Sequence, residues 1–256
     1  MQAKKRFGQN FLTDKKLLED LVTLINVSSQ DKLLEIGPGK GDLTKNLIDI
    51  CGSYFGVEVD RDLLVYLGNK FPKNKEVFIN EDILKLNPTE IYDLSVFRVI
   101  GNIPYNISSP VLDWCEKHYE KIYDMHLMLQ KEFALRCAGS ENTSSYGRLS
   151  VICNYLYEIT ILKEVSKDFF NPIPKVNSLF VRFSPKKKEV DEKELQSLKK
   201  VTRALFNKKR KKISNSLGDV LQKESINKLR LDLNLRPDEL SLDEYLQISS
   251  LVKDDG

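Results

Sequence analysis

Segments with β character alternate with amphipathic helical segments along the first 185 residues. Short apolar runs are separated by stretches in which apolar residues recur at helical spacing. This alternation predicts an α/β fold with a doubly wound, mostly parallel sheet. The last two runs follow each other without a long helix between them, which predicts an antiparallel strand at one edge of the sheet. The seven expected strands lie at residues 33–36, 54–59, 77–79, 96–100, 125–129, 159–165 and 178–183.

The expected helices of this part begin and end at recognisable residues. Thr13 is a plausible N-cap for a helix that ends near Asn26, because apolar residues recur every three or four positions between them. Ser109 as N-cap, with Pro110 in the first turn, opens a later helix. Further helices are expected at residues 42–50, 61–71 and 131–138.

The pattern changes after Pro185. Residues 186–189 are polar and typical of a linker, and from Glu192 to Val252 only helical periodicities remain. A length of 256 residues suits one domain of usual size with a small appendage. We therefore expect a catalytic sheet domain at residues 1–185 and a small all-helical C-terminal domain at residues 190–256.

Cysteine and histidine are scarce and scattered. Four cysteines without C-x-x-C spacing are typical of free thiols in a reducing compartment. With His118 and His126 as the two histidines, a His-rich metal site is excluded, and we expect no metal and no histidine base. No apolar run approaches the roughly 20 residues of a membrane span, and the N-terminus has no secretory apolar region. We expect a cytoplasmic protein without membrane association.

Basic residues concentrate in the C-terminal part, although the formal net charge is only +3. Residues 186–256 carry 17 Lys and Arg against 13 Asp and Glu, and five basic residues are consecutive at positions 208–212. Such a run favours a polyanionic partner, or else it is a solvated helix face. On a helix, Lys208, Lys211 and Lys212 would share one face, so these three are the expected contacts to a polyanion. A smaller basic cluster lies at residues 4–6.

A glycine-rich loop follows the first expected strand. Gly37, Gly39 and Gly41 lie in the sequence EIGPGKGD of residues 35–42. Loops at the carboxyl ends of parallel strands bind ligands in open α/β sheets. A dinucleotide site would have glycine at the position of Asp42, whose carboxylate would instead repel a pyrophosphate. The loop therefore favours a nucleoside cofactor without phosphate, such as S-adenosyl-L-methionine.

Two acidic residues follow the next two expected strands. Glu58, 17 residues after Gly41, can accept hydrogen bonds from ribose hydroxyls, and Asp82 can accept one from an adenine amino group. Each of them alone could equally cap a turn. Three such features at successive strand ends favour a cofactor site.

The sequence Asn102-Ile103-Pro104-Tyr105 follows the fourth expected strand. The amino group of adenine is a poor nucleophile because its lone pair is delocalised into the ring. The Asn102 side-chain carbonyl and a backbone carbonyl next to Pro104 can accept its two N–H groups and free that lone pair, while Tyr105 stacks on an extruded base. Asn-x-Pro-Tyr is otherwise typical of a simple turn. Its place after the fourth strand of a cofactor-binding sheet favours catalysis by alignment of the reacting groups.

Eight short segments together carry a resemblance to a known family. They are residues 8–12, 35–41, 57–60, 81–82, 101–108, 128–132, 146–150 and 170–176. Through them the chain resembles the bacterial small-subunit ribosomal RNA adenine dimethyltransferases over almost its whole length. The resemblance implies the Rossmann-like fold of class I S-adenosylmethionine-dependent methyltransferases. It also implies that Asn102, Pro104 and Tyr105 handle the target base and that Phe170, or the adjacent Phe169, flanks it. The implied cofactor-binding residues are Asn10, Leu12, Gly37, Gly39, Gly41, Glu58, Asp82 and Asn102.

The same resemblance implies a reaction and a substrate. Four methyl groups would be transferred, two to each of two adjacent adenosines in a hairpin near the 3′ end of 16S rRNA. The substrate would be the immature, assembling small ribosomal subunit, with the basic run binding its RNA. A second role as an assembly checkpoint is implied, for a protein that we expect to be monomeric.

Two other functions stay open from the sequence. The first is a large-subunit 23S rRNA adenine methyltransferase of the antibiotic-resistance type, which shares the glycine loop and the Asn-Ile-Pro-Tyr segment. Residues 206–217 disfavour it, because they resemble the basic helix of the small-subunit family, with Ser214 where that helix has a basic residue. The second is a non-catalytic RNA-binding relative, against which the intact residues 102–105 argue.

Overall fold

The chain divides into two compact units by its internal contacts. The sheet unit comprises Met1–Lys131 and Thr160–Pro185, and the helical unit comprises Glu132–Ile159 and Lys186–Gly256. The expected division at residues 185–190 is corrected in one respect, because residues 132–159 join the helical unit. A hydrogen bond joins the two segments of the helical unit, in which the Tyr155 hydroxyl donates to the Glu194 carboxylate at 2.5 Å. This computed structural model describes residues 4, 8–93, 95–186 and 190–252.

The described residues form nine strands. They are β1 (Phe11–Leu12), β2 (Lys32–Ile36), β3 (Ser53–Val57), β4 (Phe78–Ile79), β5 (Phe97–Asn102), β6 (Ile122–Gln130), β7 (Tyr157–Val165), β8 (Phe170–Asn171) and β9 (Ser178–Pro185). Seven of them make one sheet in the order β4-β3-β2-β5-β6-β9-β7, and β1 pairs with β8 as a separate antiparallel ladder. The neighbours from β4 to β6 pair in parallel, and β9 is antiparallel to β6. The predicted seven-stranded, mostly parallel sheet is confirmed.

The antiparallel strand does not lie at the edge of the sheet, contrary to the sequence-based expectation. β9 lies between β6 and β7, and β7 is the edge strand. Burial explains this order. The first four residues of β9 are all buried, as in a strand covered on both faces, whereas Ile161 and Glu164 of β7 are exposed.

The parallel register brings four strand ends to one edge of the sheet. Ile36 lies opposite Val57 and Gly101, and Val57 lies opposite Ile79. The loops that follow β2, β3, β4 and β5 therefore meet along this edge, where ligands bind in doubly wound sheets.

The helices of the sheet unit pack apolar stripes against this sheet. Buried Leu17, Leu21 and Ile25 on the first helix join Leu33 and Ile100 of the strands in one core cluster. The helices of this unit are α1 (Lys15–Ile25), α2 (Arg61–Lys70), α3 (Thr89–Tyr92) and α4 (Ser108–Lys117). The next helix, α5 (Lys131–Cys137), belongs to the helical unit from its second residue onwards.

Two helix starts differ from the expectation. The N-cap of α1 is Asp14, whose carboxylate accepts the Leu17 N–H at 2.7 Å. Thr13 is engaged elsewhere, because its N–H and hydroxyl both donate to the Phe169 carbonyl, at 3.0 and 3.1 Å. Helix α4 has Ile107 at its N-cap, so Ser109 lies within the first turn.

The helix expected at residues 42–50 is wrong. Only one 3₁₀ turn forms there, at Thr44–Asn46. The Thr44 hydroxyl donates to the buried Glu35 carboxylate at 2.8 Å, and Leu43 and Leu47 are buried. Tertiary contacts to β2 thus override a sequence pattern that is locally helical.

The helical unit contains the remaining helices. Leu198, Val201 and Leu205 are fully buried, as are Tyr245 and Ile248. These buried side chains form the apolar interior of this unit, in agreement with an all-helical appendage. Its helices are α6 (Arg148–Leu156), which the sequence did not predict, α7 (Glu192–Asn207), α8 (Lys223–Ile226) and α9 (Leu242–Ser249). None of the described helices is long and apolar enough to cross a membrane.

Candidate cofactor- and base-binding site

A pocket lies at the edge of the sheet where β2, β3 and β5 end. It is lined by residues 8–12, by the loops after β2, β3 and β4, and by residues 102–107 after β5. Seven of the eight expected cofactor residues are in this lining, together with Pro104 and Tyr105. The eighth, Gly41, is outside it.

The glycine loop requires glycine for its backbone conformation. Gly37, Gly39 and Gly41 have φ of +63°, +60° and +68°, which side chains rarely tolerate. A Cβ on Gly37 would meet nothing within 4 Å, so the backbone there borders open pocket space that a cofactor can fill. A Cβ on Gly41 would lie 2.7 Å from the Phe71 ring, so Gly41 serves packing behind the loop instead of contacting a ligand.

Glu58 holds two loops together at the pocket wall. Its Oε2 accepts the Gly39 N–H at 3.1 Å, and its Oε1 accepts the Asp60 N–H at 2.9 Å. The residue is 4% exposed, and this burial raises the pKa of its carboxyl although the two backbone bonds oppose the shift. Each oxygen keeps a second lone pair, so the carboxylate can still accept ribose hydroxyls. This hydrogen-bond acceptor at the pocket wall therefore fits the ribose of S-adenosylmethionine.

Glu35 is a pocket residue that sequence reasoning did not assign. Its buried carboxylate accepts the Tyr54 hydroxyl at 2.5 Å and the Thr44 hydroxyl at 2.8 Å. Burial raises the pKa of this carboxyl to about 7, against the opposing effect of these two bonds. A carboxylate inside an otherwise apolar strand is the signal that could have identified it.

Asp82 caps a turn and also lies in the pocket lining. Its Oδ1 accepts the Leu84 N–H at 3.0 Å, which closes the turn after β4. The side chain is also half-buried in the pocket lining. A carboxylate has about four lone pairs, so capping the turn leaves acceptor capacity for an adenine amino group.

Asn102 is the last residue of β5, and its side-chain amide is held from one side. Its Nδ2 donates to the Asn10 backbone carbonyl at 2.6 Å. A carbonyl oxygen can only accept, so the NH₂ end of the amide must face Asn10 and the Oδ1 end must point away from it. This leaves Oδ1 as the acceptor that the amide presents beside Pro104 and Tyr105.

Pro104 and Tyr105 shape the turn that follows. The Pro104 carbonyl accepts the Ile107 N–H at 3.0 Å, which closes the turn. The Tyr105 hydroxyl makes a 2.9 Å hydrogen bond with the Ser178 hydroxyl at the start of β9. The Tyr105 ring is therefore tethered at its outer end and half-buried, and burial raises the pKa of its phenol.

The two aromatic residues expected near the target base differ in exposure, and which of them flanks it stays a prediction. The Phe170 side chain is 2% exposed and belongs to the core cluster with Leu12 and Leu18, because β8 pairs with β1 and turns this ring inward. The adjacent Phe169 is 37% exposed. Of the two rings, only Phe169 presents accessible surface to an incoming base.

The basic run at residues 208–212 is not helical, contrary to the expectation. Helix α7 ends at Asn207, and the chain then turns so that Ile213 is buried, with its N–H donating to the Leu235 carbonyl at 2.8 Å. Lys208 pairs with Asp219 at 2.8 Å. The common helix face expected for Lys208, Lys211 and Lys212 is therefore wrong. Lys5 and Arg6 of the smaller cluster lie outside the described residues.

Four basic residues instead line one concave surface of the helical unit, here called the basic concavity. Arg210, Lys211 and Lys212 of the run lie beside Arg236 there, and the Lys212 ammonium donates to Asn234 Oδ1 at 2.8 Å. Sequence reasoning missed Arg236, because only the folded chain brings it next to the run. The remaining lining residues are Asn215, Asn234 and Glu239.

Known proteins resemble this chain in sequence over nearly its whole length. The "Ribosomal RNA small subunit methyltransferase A" of Colwellia psychrerythraea is 39% identical over 256 residues, which cover 99% of this chain and 85% of that protein. The protein of the same name from Coxiella burnetii is 36% identical over 98% of both chains.

Solved structures share the fold. A dimethyladenosine transferase from Plasmodium falciparum superposes with a TM-score of 0.76 at 23% identity, covering 93% of this chain and 95% of that one. The 23S rRNA methyltransferase ErmE superposes with a TM-score of 0.72 at 24% identity, covering 95% and 99%. The family model described as "Ribosomal RNA adenine dimethylase" matches residues 1–254. The chain therefore belongs to the ribosomal RNA adenine dimethylase family.

Proposed function

We propose that this chain dimethylates two adjacent adenosines in a hairpin near the 3′ end of 16S rRNA, within the immature small ribosomal subunit. The observation that carries the proposal is the side chain of Asn102, whose amide is held by Asn10 so that Oδ1 is presented at the cofactor pocket. Membership of the adenine dimethylase family agrees with this role.

The chemistry follows from that geometry. S-adenosylmethionine, when bound, supplies an electrophilic methyl group. Asn102 Oδ1 accepts one N–H of the adenine amino group, a backbone carbonyl next to Pro104 accepts the other, and the nitrogen lone pair is released from the ring. Tyr105 and the exposed Phe169 hold the extruded base by stacking. With the cofactor bound, this nitrogen would form the N–CH₃ bond as the S–CH₃ bond breaks, and its proton would leave for solvent.

No histidine serves this reaction. His126 is 1% exposed within β6, and His118 follows the end of α4. Neither belongs to the pocket lining. Alignment of nucleophile, methyl group and leaving sulfur supplies the rate enhancement without a dedicated base.

The cofactor is held by residues with distinct tasks. The Glu58 carboxylate accepts the ribose hydroxyls, and Asp82 accepts the adenine amino group. Asn10 and Leu12 close the pocket from the N-terminal side, and the Gly37 and Gly39 backbone lets the cofactor approach closely.

The helical unit supplies RNA binding. The basic concavity carries four basic side chains and one acidic one, which suits a phosphate backbone. Arg210, Lys211, Lys212 and Arg236 are therefore assigned to RNA, and Lys208 is withdrawn because Asp219 pairs with it.

The small subunit is favoured over the large one by the names of the relatives at 36–39% identity. ErmE, at 24% identity, supports the fold alone.

We assign the protein to the cytoplasm, in keeping with an RNA substrate that is itself assembled there. We further assign it as a monomer, with a second role as a checkpoint on small-subunit assembly.

Incubation with methyl-labelled S-adenosylmethionine tests the substrate. Unmethylated small and large ribosomal subunits are offered separately, and label in each rRNA is counted. We expect label in 16S rRNA and background in 23S rRNA. Label confined to 23S rRNA would establish the large-subunit alternative, and cofactor binding without label in either would indicate a non-catalytic relative.

A further inference from the structure

Residues 8–12, here called the strap, form one side of the cofactor pocket and approach the base-handling turn closely. Gly8 has φ of +61°, and a Cβ there would lie 2.7 Å from Asn106 Oδ1. The C-terminal end of the strap is fixed by backbone bonds, because Leu12 pairs with Phe170 and Thr13 donates to the Phe169 carbonyl. Among the residues that the structure describes, no such ladder holds the N-terminal end, and side chains hold it instead.

Two carboxylates anchor that N-terminal end through Lys4, whose ammonium donates to Asp62 at 2.6 Å and also to Asp60, which is the more buried of the two. Asp60 binds Gln9 as well. Its carboxylate accepts the Lys4 ammonium at 2.6 Å and the Gln9 Nε2 at 3.0 Å. Gln9 Oε1 in turn accepts the Lys4 backbone N–H at 2.8 Å, so the two residues brace each other. Burial would raise the pKa of Asp60, but the bonds from Lys4 and Gln9 hold it below its ordinary value. Lys4, Gln9 and Asp60 are here called the latch.

The latch is connected to both halves of the pocket. On one side the Asp60 N–H donates to the Glu58 carboxylate, whose other oxygen accepts the Gly39 N–H. On the other side the strap carries Asn10, whose carbonyl receives the Asn102 amide at 2.6 Å. If the strap moved away, the Asn102 amide would lose the acceptor that decides which of its two ends faces the target base.

We propose that Lys4 and Gln9, held by Asp60, are positioning residues that keep the strap closed on the cofactor and thereby orient Asn102. The inference rests on the function proposed above for Asn102. None of the three latch residues touches the reacting atoms in this scheme. They act through the Asn10 carbonyl.

The test combines Lys4→Met with Gln9→Leu in the full chain. We expect deuterium uptake at the amides of residues 8–12 to become at least about 10-fold faster, because the double variant removes side-chain bonds that favour the closed state of the strap. S-adenosylhomocysteine should dissociate about 10-fold faster, and kcat at saturating cofactor and RNA should fall about 10-fold. The single variant Lys4→Arg, with Gln9 unchanged, keeps the charged bond to Asp60. It should have wild-type values of all three quantities.

Lys163→Met is the matched control, since it removes an ion pair with Asp20 at 2.9 Å in the same unit, away from the strap. It should leave all three quantities at the wild-type value. Unchanged strap exchange and dissociation in the double variant would overturn the latch, as would equal changes in the control. Exchange and dissociation are read without methyl transfer. A latch confirmed in an enzyme that fails to label 16S rRNA would therefore refute only the proposed function.

Discussion

At the scale of single residues, the pocket is lined by polar side chains that use part of their hydrogen-bonding capacity within the protein and keep the rest for a ligand. Asn102 uses its NH₂ on Asn10 and keeps Oδ1 for a ligand. Glu58 uses one lone pair of each oxygen on the backbone of Gly39 and Asp60 and keeps the other. Each of these residues therefore shapes the pocket and, in the function we propose, also binds its ligand.

Replacement of Asn102 by Ala separates catalysis from cofactor binding. We expect methyl transfer to fall by at least about 100-fold, because the amine loses the acceptor that it uses in the transition state. Cofactor affinity, measured by calorimetry, should change by no more than a few-fold. Asn74→Ala, in a turn outside the pocket lining, is the control. Wild-type methylation by Asn102→Ala would refute the assigned role.

Replacement of Glu58 by Ala should weaken S-adenosylmethionine binding by about 1.5–3 kcal/mol, the usual value of hydrogen bonds to a charged group. Calorimetry in the absence of RNA measures it. Glu58→Gln should not restore full affinity, since one end of the amide cannot accept a backbone N–H. The exposed Glu76→Ala serves as the comparison. Equal affinities for Glu58→Ala and wild type would leave Glu58 as a turn-capping residue.

At the scale of elements, apolar runs located the seven strands of the large sheet but not the short strands β1 and β8. Contacts between residues distant in sequence overrode two local helix patterns. Residues 42–50 have helical spacing, but Thr44 bonds to Glu35 and the segment follows β2. Residues 208–212 would extend α7, but burial of Ile213 turns the chain. Both errors have the same cause, since periodicity reports which face is apolar and says nothing about partners distant in sequence.

The basic concavity makes a prediction at the same scale. Arg210→Gln, Lys211→Gln and Arg236→Gln together should weaken small-subunit binding and reduce its salt dependence. Each lost phosphate contact should remove about 0.7–0.9 from the slope of log K against log salt. Binding is measured at several salt concentrations, and cofactor binding should not change.

Lys208→Gln with Lys209→Gln removes two positive charges from the run, against three charges in the triple variant. Lys208 pairs with Asp219, and Lys209 lies 3.6 Å from Asp238. We therefore expect the salt slope of this variant to stay closer to that of the wild type. A larger reduction of the salt slope in this variant than in the triple variant would show that Lys208 and Lys209 contact the RNA. It would contradict the assignment of RNA binding to the basic concavity.

At the scale of the whole molecule, topology decided how much of the site was predictable. A parallel sheet places successive strand ends together, so Glu58, Asp82 and Asn102 could be grouped from sequence alone. The bond from Asn102 to Asn10 spans 92 positions, and Arg236 meets the basic run only after folding. No local pattern encodes such pairs. The inward turn of Phe170 likewise depends on pairing between β8 and β1.

Two buried groups give the folded chain opposing pH dependences. Burial lowers the pKa of His126 from 6.5 to about 4, and burial raises the pKa of Glu35 from 4.5 to about 7. Between about pH 4.5 and 6.5 the unfolded chain binds a proton on His126 that the folded chain lacks, so this residue makes stability rise with pH. Glu35 is protonated only in the folded chain over the same range, so it makes stability fall with pH.

His126→Leu lacks the gain in stability that His126 gives the wild type as pH rises. The unfolding free energy of the variant minus that of the wild type should therefore fall by roughly 2–3 kcal/mol between about pH 4.5 and 6.5. Glu35→Gln should show a change of similar size and opposite sign. Urea unfolding at several pH values measures the unfolding free energy of each variant and of the wild type. Subtracting the wild-type value at each pH removes the contribution of the other titratable groups. Parallel pH profiles for the two variants and wild type would contradict the burial effects.

Mass spectrometry of the 3′ hairpin of 16S rRNA tests the central assignment most directly. Unmethylated small subunits are incubated with S-adenosylmethionine and either the wild-type chain or the Asn102→Ala variant, and the hairpin fragment is sequenced by mass. We predict four added methyl groups with the wild type, two on each of two adjacent adenosines, and none with the variant. Methyl groups on another base, on a single isolated adenosine or at equal yield with Asn102→Ala would contradict the account.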